Sequence, residues 1–458
     1  MVNNVNAVKY YLQMTDIMFR SSMNYIRRCV PVIGLVMGTL IVYSIFFYNS
    51  YAQVSRNLVG SPNLSLTNVT QYFHHHQNFS RFEDKLFKPI LNAFKHPNLL
   101  HDRKTKFRSD TIPTIFLLSN KSITNSYWVD SLKHFTEKQC PFQCNFTDNE
   151  KEVSKADAVL VYFSYFESPD ALKSKLPKRD PRQPWIAFAV ETPDHKFFKT
   201  QLPISSFNGI FNRTMTFRRD SDIIFTHGFV VSKEDAAFLP QPWVRHPPRL
   251  RQLPFYKRKV AVAFISHCVS LGRRMDYIRE LSEFVPVDIY GKCGKLSCGA
   301  SRYVGSSPEI EDDTCILEAA ENYLFYLSFE NSIADDYVTE KLYNILFYPV
   351  VPIVFGGVNY SDILPPNSFI PALEYKPADL AILILKLSHD ETRYNAMLEW
   401  RNRYQVSKVG TRRIYCDLCT KLRTTKLYEE KLYDDFEDWF GTQSHCRKYT
   451  TDGVVPST

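Results

Sequence analysis

The 458-residue sequence lacks any block of like charge. Its formal charge of +8 is spread along the chain, with neither an arginine-rich helix nor a zinc-finger spacing, so nucleic-acid binding drops out of the reading. No internal repeat is present, which excludes solenoids and propellers. Only one uncharged apolar run is long enough to cross a bilayer, which excludes a multi-spanning membrane protein. What is present is the material of folded domains. Hydrophobic residues make up 44% and charged residues 23%, and the length suffices for two cores of ordinary size. The 27 Tyr and 34 Phe suit stacking on sugars and bases and suit an aromatic core equally well.

The apolar run is Cys29 to Tyr48, CVPVIGLVMGTLIVYSIFFY. Lys9, Arg20, Arg27 and Arg28 precede it against the single acid Asp16, so the amino end is expected in the cytosol and the rest of the chain in the lumen. A cleaved signal peptide competes, with Ser50-Tyr51-Ala52 as its cut site, but the long leader and long span favour an uncleaved anchor. Seven glycosylation sequons follow the run, at Asn63, Asn68, Asn78, Asn120, Asn145, Asn212 and Asn359, and none precedes it. Nine of the ten cysteines also follow it, and an odd number leaves at least one outside intramolecular pairing. Cys140/Cys144, Cys293/Cys298 and Cys416/Cys419 are close in sequence. No histidine completes a zinc spacing, so disulfides of open connectivity are expected.

Residues 1–28 read as a cytosolic tail, 29–48 as the membrane anchor and 49–108 as a polar stem. His74-His75-His76 within the stem reads as an exposed polar run, because three consecutive side chains cannot converge on one ion. From Thr111 short apolar strands alternate with polar or helical segments: 115–118, 158–163, 185–190 and 223–225. A Pro/Arg-rich stretch, 239–258, reads as a linker, and strands resume at 260–266 and 287–290. This alternation predicts an α/β protein. Leu380, Leu383, Ile384 and Leu387 at helical spacing predict a helical chain end.

The most informative stretch is Tyr323 to Gly357, YLFYLSFENSIADDYVTEKLYNILFYPVVPIVFGG. Buried strands are expected at 323–329 and 350–355, and a helix over 337–348, capped by Asp335 or Asp336 and ended by Pro349. In a parallel sheet this unit puts Glu330, Asn331, Ser332, Tyr337, Glu340 and Lys341 beyond the carboxyl end of the first strand, where open α/β sheets bind ligands. Elsewhere, Glu191 ends the apolar run WIAFAV before Thr192-Pro193. Asp220-Ser221-Asp222 forms a DxD triplet, which holds a metal on the diphosphate in other sugar-nucleotide transferases. The reading favours a structural role for these aspartates over metal ligation.

FENS, four residues, then YVTEKLYN and VPIVFGG resembles the donor-site signature of the α1,3-fucosyltransferases, glycosyltransferase family 10. MTFRRDSDI and AVAFISHCVSLGRRMDYIREL followed by VDIYGKCG resemble further motifs of that family, and the similarity spans roughly Trp185 to Cys419. The resemblance implies the GT-B fold: two Rossmann-like α/β domains facing across a cleft, preceded by a single transmembrane helix and stem. It assigns 109–250 to an acceptor-side domain and 251–390 to a GDP-fucose-binding domain, leaving 391–458 as the helical end read from apolar spacing. It implies a Golgi type II membrane enzyme that transfers L-fucose from GDP-β-L-fucose to an N-acetylglucosamine-containing glycan with inversion. Glu191 is then the base, Arg274 and Lys341 bind diphosphate, Glu340 binds ribose, and Asn331 and Tyr337 line the donor pocket. Arg273 and Arg274 could exchange roles. A guanidinium supplies paired donors to phosphate, so no metal is required. Mn2+ is retained only for the competing reading, a metal-dependent transferase of another sugar nucleotide. A membrane-anchored glycan-binding protein without turnover is the reading from another class.

Overall fold

A computed structural model describes residues 83–85, 88, 112–118, 142–163, 166, 168–176, 178, 180, 182–195, 203–239, 254–298, 314–408, 411–423 and 425–457. The 29–48 span, His74 to His76, the 240–253 part of the linker and the sequons at Asn63, Asn68, Asn78 and Asn120 lie outside them. Among the described residues no helix is long and apolar enough to cross a membrane.

The first half builds a six-stranded parallel sheet: β1 (Thr114–Leu118), β2 (Asn145–Thr147), β3 (Ala158–Tyr162), β4 (Trp185–Phe188), β5 (Arg213–Thr216) and β6 (Ile223–Ile224), in the order β2-β1-β3-β4-β5-β6. AVLVY and WIAF are apolar at every position and buried throughout, as strands covered on both faces must be. Alternate residues serve opposite faces. Leu160, Ile186, Phe188 and Met215 enter one core, whereas Val159, Val161 and Ala187 enter another.

After β7 (Gly228–Ser232), the second half builds a five-stranded parallel sheet of β8 (Lys259–Phe264), β9 (Val287–Tyr290), β10 (Tyr323–Phe329), β11 (Val351–Phe355) and β12 (Ile370–Pro371), in the order β12-β11-β10-β8-β9. Helices α1 (Arg274–Leu281), α2 (Thr314–Asn322), α3 (Glu340–Ile345) and α4 (Pro377–Ser388) accompany it. Leu380, Leu383, Ile384 and Leu387 of α4 are all buried against this sheet. Burying such side chains contributes about 1.5–3 kcal/mol apiece.

The chain then returns to the first half. β13 (Tyr404–Lys408) pairs antiparallel with β7, and α5 (Thr411–Leu422) sends Tyr415, Leu418, Cys419 and Leu422 into the first sheet's core. The expected helical end is corrected. The described chain finishes in a hairpin of β14 (Arg447–Thr450) and β15 (Gly453–Pro456), turned at Thr451-Asp452, with Gly453 opening β15 at φ +131° and Tyr449 anchored in the second sheet's core. Part of the segment read as stem also docks: Lys85 N–H donates to Asp362 O at 2.8 Å, and Val230 N–H to the buried Asp84 carboxylate at 3.3 Å.

Disulfides join Cys144–Cys419, Cys268–Cys293 and Cys298–Cys315, and Cys416 is also disulfide-bonded, so cysteines adjacent in sequence belong to separate bridges. Asn145 and Asn359 are exposed. Asn212 is a correction to the sequon reading. It is 2% exposed, its Oδ1 accepts from Trp185 N–H at 2.6 Å and its Nδ2 donates to Gln183 O at 3.2 Å, leaving no room for a glycan in this fold.

Candidate active site

β10 and β11 pair in parallel from Phe325↔Val351 to Phe329↔Phe355, and Glu330 is the first residue past the carboxyl end of β10. Its side chain is fully buried. Oε1 accepts from Thr339 N–H at 2.8 Å and Oε2 from Thr339 Oγ1 at 2.7 Å, so Glu330 fixes the residue that starts α3. Thr339, with φ −120° and ψ −172°, is the N-cap. The helix therefore begins at Glu340, not Tyr337. Neither aspartate expected as the cap is available for it. Asp335 is bound by Arg447 at 2.6 Å and by His445 at 2.8 Å, and Asp336, at φ +62°, accepts from Arg219 N–H at 2.9 Å.

The first turn of α3 carries the charge. Lys341 Nζ lies 2.9 Å from Glu340 Oε1, 3.0 Å from Thr339 Oγ1 and 3.7 Å from Glu330 Oε2, with its side chain 22% exposed. Burial opposes its charge, but Glu340 and Glu330 outweigh burial and raise its pKa. For Glu340 burial acts upward, yet Lys341 and His227, 3.7 Å away, hold its pKa down at about 2. Burial raises the pKa of Glu330, against Lys341. A lysine at a helix start, above a parallel strand's carboxyl end, is suited to a phosphate.

Arg274 opens α1 and is 2% exposed. Its guanidinium donates to Phe329 O at 2.7 Å and to His267 O at 3.2 Å, while Nε is buried without a partner. Burial lowers its pKa, opposed by Glu330, Tyr337 and Glu340. Arg273, at φ +56°, turns outward with a side chain 53% exposed, so Arg274 is the arginine directed at β10. The loop before it touches the 331–332 backbone: Gly272 N–H donates to Asn331 O at 2.9 Å, and a Cβ at Gly272 would meet that oxygen at 3.0 Å. The Asn331 Oδ1 is buried with no partner, a polar atom awaiting one.

Glu191 follows β4 in the other sheet, and the 331–339 loop reaches it. Tyr337 Oη donates to Glu191 Oε2 at 2.9 Å, and Thr192 Oγ1 to Ser332 Oγ at 2.8 Å. The fold thus brings Glu191, Arg274, Asn331, Tyr337, Glu340 and Lys341 to one junction. The aspartates of the DxD are occupied by other partners. Asp220 accepts from Arg218 at 2.7 Å and Trp439 Nε1 at 3.0 Å; Asp222 accepts from Thr214 N–H, Tyr433 Oη and Lys431 Nζ, each at 3.0 Å. Among the described residues, no group of three or more His, Cys, Asp or Glu side chains is arranged to hold a metal. An open cleft of about 540 Å³ beside Arg218, Arg219 and Asp336 is lined by charges already paired with one another.

Sequence reasoning left Glu330 without a role and missed Thr339 and His227. The available signal was Thr339 directly before Glu-Lys, the ordinary place of a capping hydroxyl.

Comparison with known proteins bears on the same residues. The model described as "Fucosyltransferase, N-terminal" matches residues 114–228, and that described as "Glycosyltransferase family 10 (fucosyltransferase) C-term" matches 255–439. The chain is 32% identical over 319 residues to α-(1,3)-fucosyltransferase C of Drosophila melanogaster, covering 66% of this chain and 71% of the fly protein. It is 30% identical over 294 residues to the human 4-galactosyl-N-acetylglucosaminide 3-α-L-fucosyltransferase FUT6, covering 63% and 73%. A solved α1,3-fucosyltransferase structure aligns with 75% of this chain and 98% of its own, with a TM-score of 0.44 and 16% identity. Both halves of the chain match the family's models, and the junction between them holds the charged cluster: the chain belongs to glycosyltransferase family 10, the fucosyltransferases.

Proposed function

We propose that the protein transfers L-fucose from GDP-β-L-fucose to a hydroxyl of an N-acetylglucosamine-containing glycan, in α1,3 linkage and with inversion. The observation that carries this reading is Arg274 and Lys341 converging beyond β10, with Glu191 tied to the same loop through Tyr337. The names of the fly and human relatives support the sugar and the linkage. The two parallel sheets fit a GT-B arrangement, with the donor held by the second half and the acceptor approaching from the first. A single-pass type II anchor at 29–48 in the Golgi membrane fits the flanking charge and the sequons that follow it.

Each residue then has a step. Glu191 takes the proton of the acceptor hydroxyl as that oxygen bonds to the anomeric carbon of fucose from the face opposite GDP. The bond from that carbon to the diphosphate breaks with its electron pair, and the negative charge gathers on GDP. Lys341 and Arg274 stabilise that charge, which is the electrostatic work a metal performs in other transferases. Glu340, ionised throughout the neutral range, is suited to accept from the ribose hydroxyls. Asn331 Oδ1 is free to accept from a donor hydroxyl. The competing Mn2+ reading has no observation in its favour, since Asp220 and Asp222 already receive protein donors.

Purified protein, GDP-fucose and N-acetyllactosamine or chitobiose acceptors test the assignment. Transfer should persist in excess chelator. Glu191→Gln should lower turnover by about a hundredfold with GDP affinity kept, and Lys341→Ala should weaken GDP binding about ten- to a hundredfold by calorimetry. Full turnover in Glu191→Gln, or unchanged GDP affinity in Lys341→Ala, refutes the roles given.

A further inference from the structure

We propose that Tyr337 is the positioning residue of the catalytic base: its hydroxyl holds Glu191 Oε2 and leaves Oε1 as the atom that receives the acceptor's proton. This rests on Glu191 being the base. Tyr337 is 1% exposed, and its ring stands edge-on to Phe217, with centroids 5.1 Å apart, so the hydroxyl has one direction. That direction ends on Glu191 Oε2 at 2.9 Å. Oε1 accepts nothing from the described residues. Burial, reinforced by Glu191 and Glu330, raises the Tyr337 pKa well above its ordinary value, so the phenol stays protonated and remains a donor.

A second bond fixes the same spot. Thr192, the residue after the base, is 1% exposed and donates to Ser332 Oγ at 2.8 Å. Unheld, a glutamate samples several rotamers, and an ångström of misplacement at a reacting centre costs up to about a hundredfold in rate. Ser332 and Tyr337 both lie between Asn331 and Glu340. The loop that takes the donor is therefore also the loop that holds the base, so Tyr337 acts on the acceptor's proton from the donor's side of the junction.

Tyr337→Phe removes the hydroxyl and keeps the ring. The expected result is a kcat lower by about tenfold or more, with the GDP dissociation constant unchanged within about twofold. Placed in the Glu191→Gln background, Tyr337→Phe should produce no further loss, because its effect passes through the carboxylate. A full additional loss in that background overturns the proposal, as does unchanged kcat in Tyr337→Phe alone. Weakened GDP binding at unchanged kcat also overturns it, assigning Tyr337 to the donor instead. Thr192→Val repeats the cycle at the second bond, should Tyr337→Phe fold poorly: loss in the wild-type background and none in Glu191→Gln supports the proposal, and equal losses in both overturn it. Should Glu191→Gln keep full turnover, the base assignment itself fails, a result separate from these.

Discussion

Glu330→Gln is the perturbation that asks most of this structure, because shape is conserved while one buried charge disappears. The carboxylate is wholly out of water and accepts twice from Thr339, with Lys341 Nζ at 3.7 Å. The amide oxygen can still accept from Thr339 N–H. The amide nitrogen, however, would face Thr339 Oγ1, which already receives Lys341 Nζ at 3.0 Å, so the hydroxyl proton loses its acceptor. One charge-assisted bond is worth about 1.5–3 kcal/mol. Breaking a buried charge pair costs about 3–5 kcal/mol when the partner is stranded, but Glu340 at 2.9 Å still compensates Lys341. Burial already opposes this charge, so neutralising it relieves part of the cost, and the expected loss is that of the stranded Thr339 contact, about 1–2 kcal/mol of unfolding free energy, read by urea titration with tryptophan fluorescence. Glu283→Gln, on an exposed residue, should stay within about 0.5 kcal/mol. If Glu330→Gln matches that control, Glu330 does not anchor the start of α3 and the account of the cluster is wrong.

Other consequences are equally direct. The Glu340 pKa, held at about 2, lies below the unfolded value of about 4.3, so its stabilisation is complete above the unfolded pKa and is lost as pH falls from about 4.3 towards 2. The stability difference between wild type and Glu340→Gln should thus be flat from about pH 5 to 8 and shrink by about 3 kcal/mol on acidification, followed by urea titrations at each pH. Asp222→Asn, which disturbs contacts to Thr214, Tyr433 and Lys431, should cost about 2 kcal/mol, and added manganese should restore neither stability nor transfer. Glycopeptide mass spectrometry of folded protein should find glycans on Asn145 or Asn359 and none on Asn212, whose amide is spent inside the fold.

The parts legible in the sequence are those where local pattern and tertiary outcome agree. β9 and β10 keep the bounds read from their apolar runs, and α4 buries the four aliphatics its period marked. β5, Arg-Thr-Met-Thr, was invisible because its arginine looks exposed; in the fold Arg213 is 2% exposed and reaches Glu429 O at 2.6 Å, a partner more than two hundred residues away. The cap of α3 was misread for a related reason. Asp335 and Asp336 have the right chemistry, but Arg447, His445 and Arg219 claim them from elsewhere in the chain. The disulfide connectivity, left open by the sequence, is likewise decided by distant elements, since nearness in sequence does not bring two sulfurs together when each faces a different element. Within the site, the charged residues were readable from their motif. Their mutual bonds, Tyr337 to Glu191 and Thr192 to Ser332, join the two halves and could come only from the fold.

The return of β13 and α5 to the first sheet sets the order in which this protein can be finished. Ribosomes add about 5–20 residues per second. β7 is therefore complete about 10–35 s before the strand that pairs with it emerges, and Cys144 waits longer still for Cys419, about 15–55 s. Through that interval the nascent first half exposes the apolar face that Tyr415, Leu418 and Leu422 will cover. A chain that stopped before α5 would therefore leave the first sheet without part of its core, although every strand of that sheet had been made.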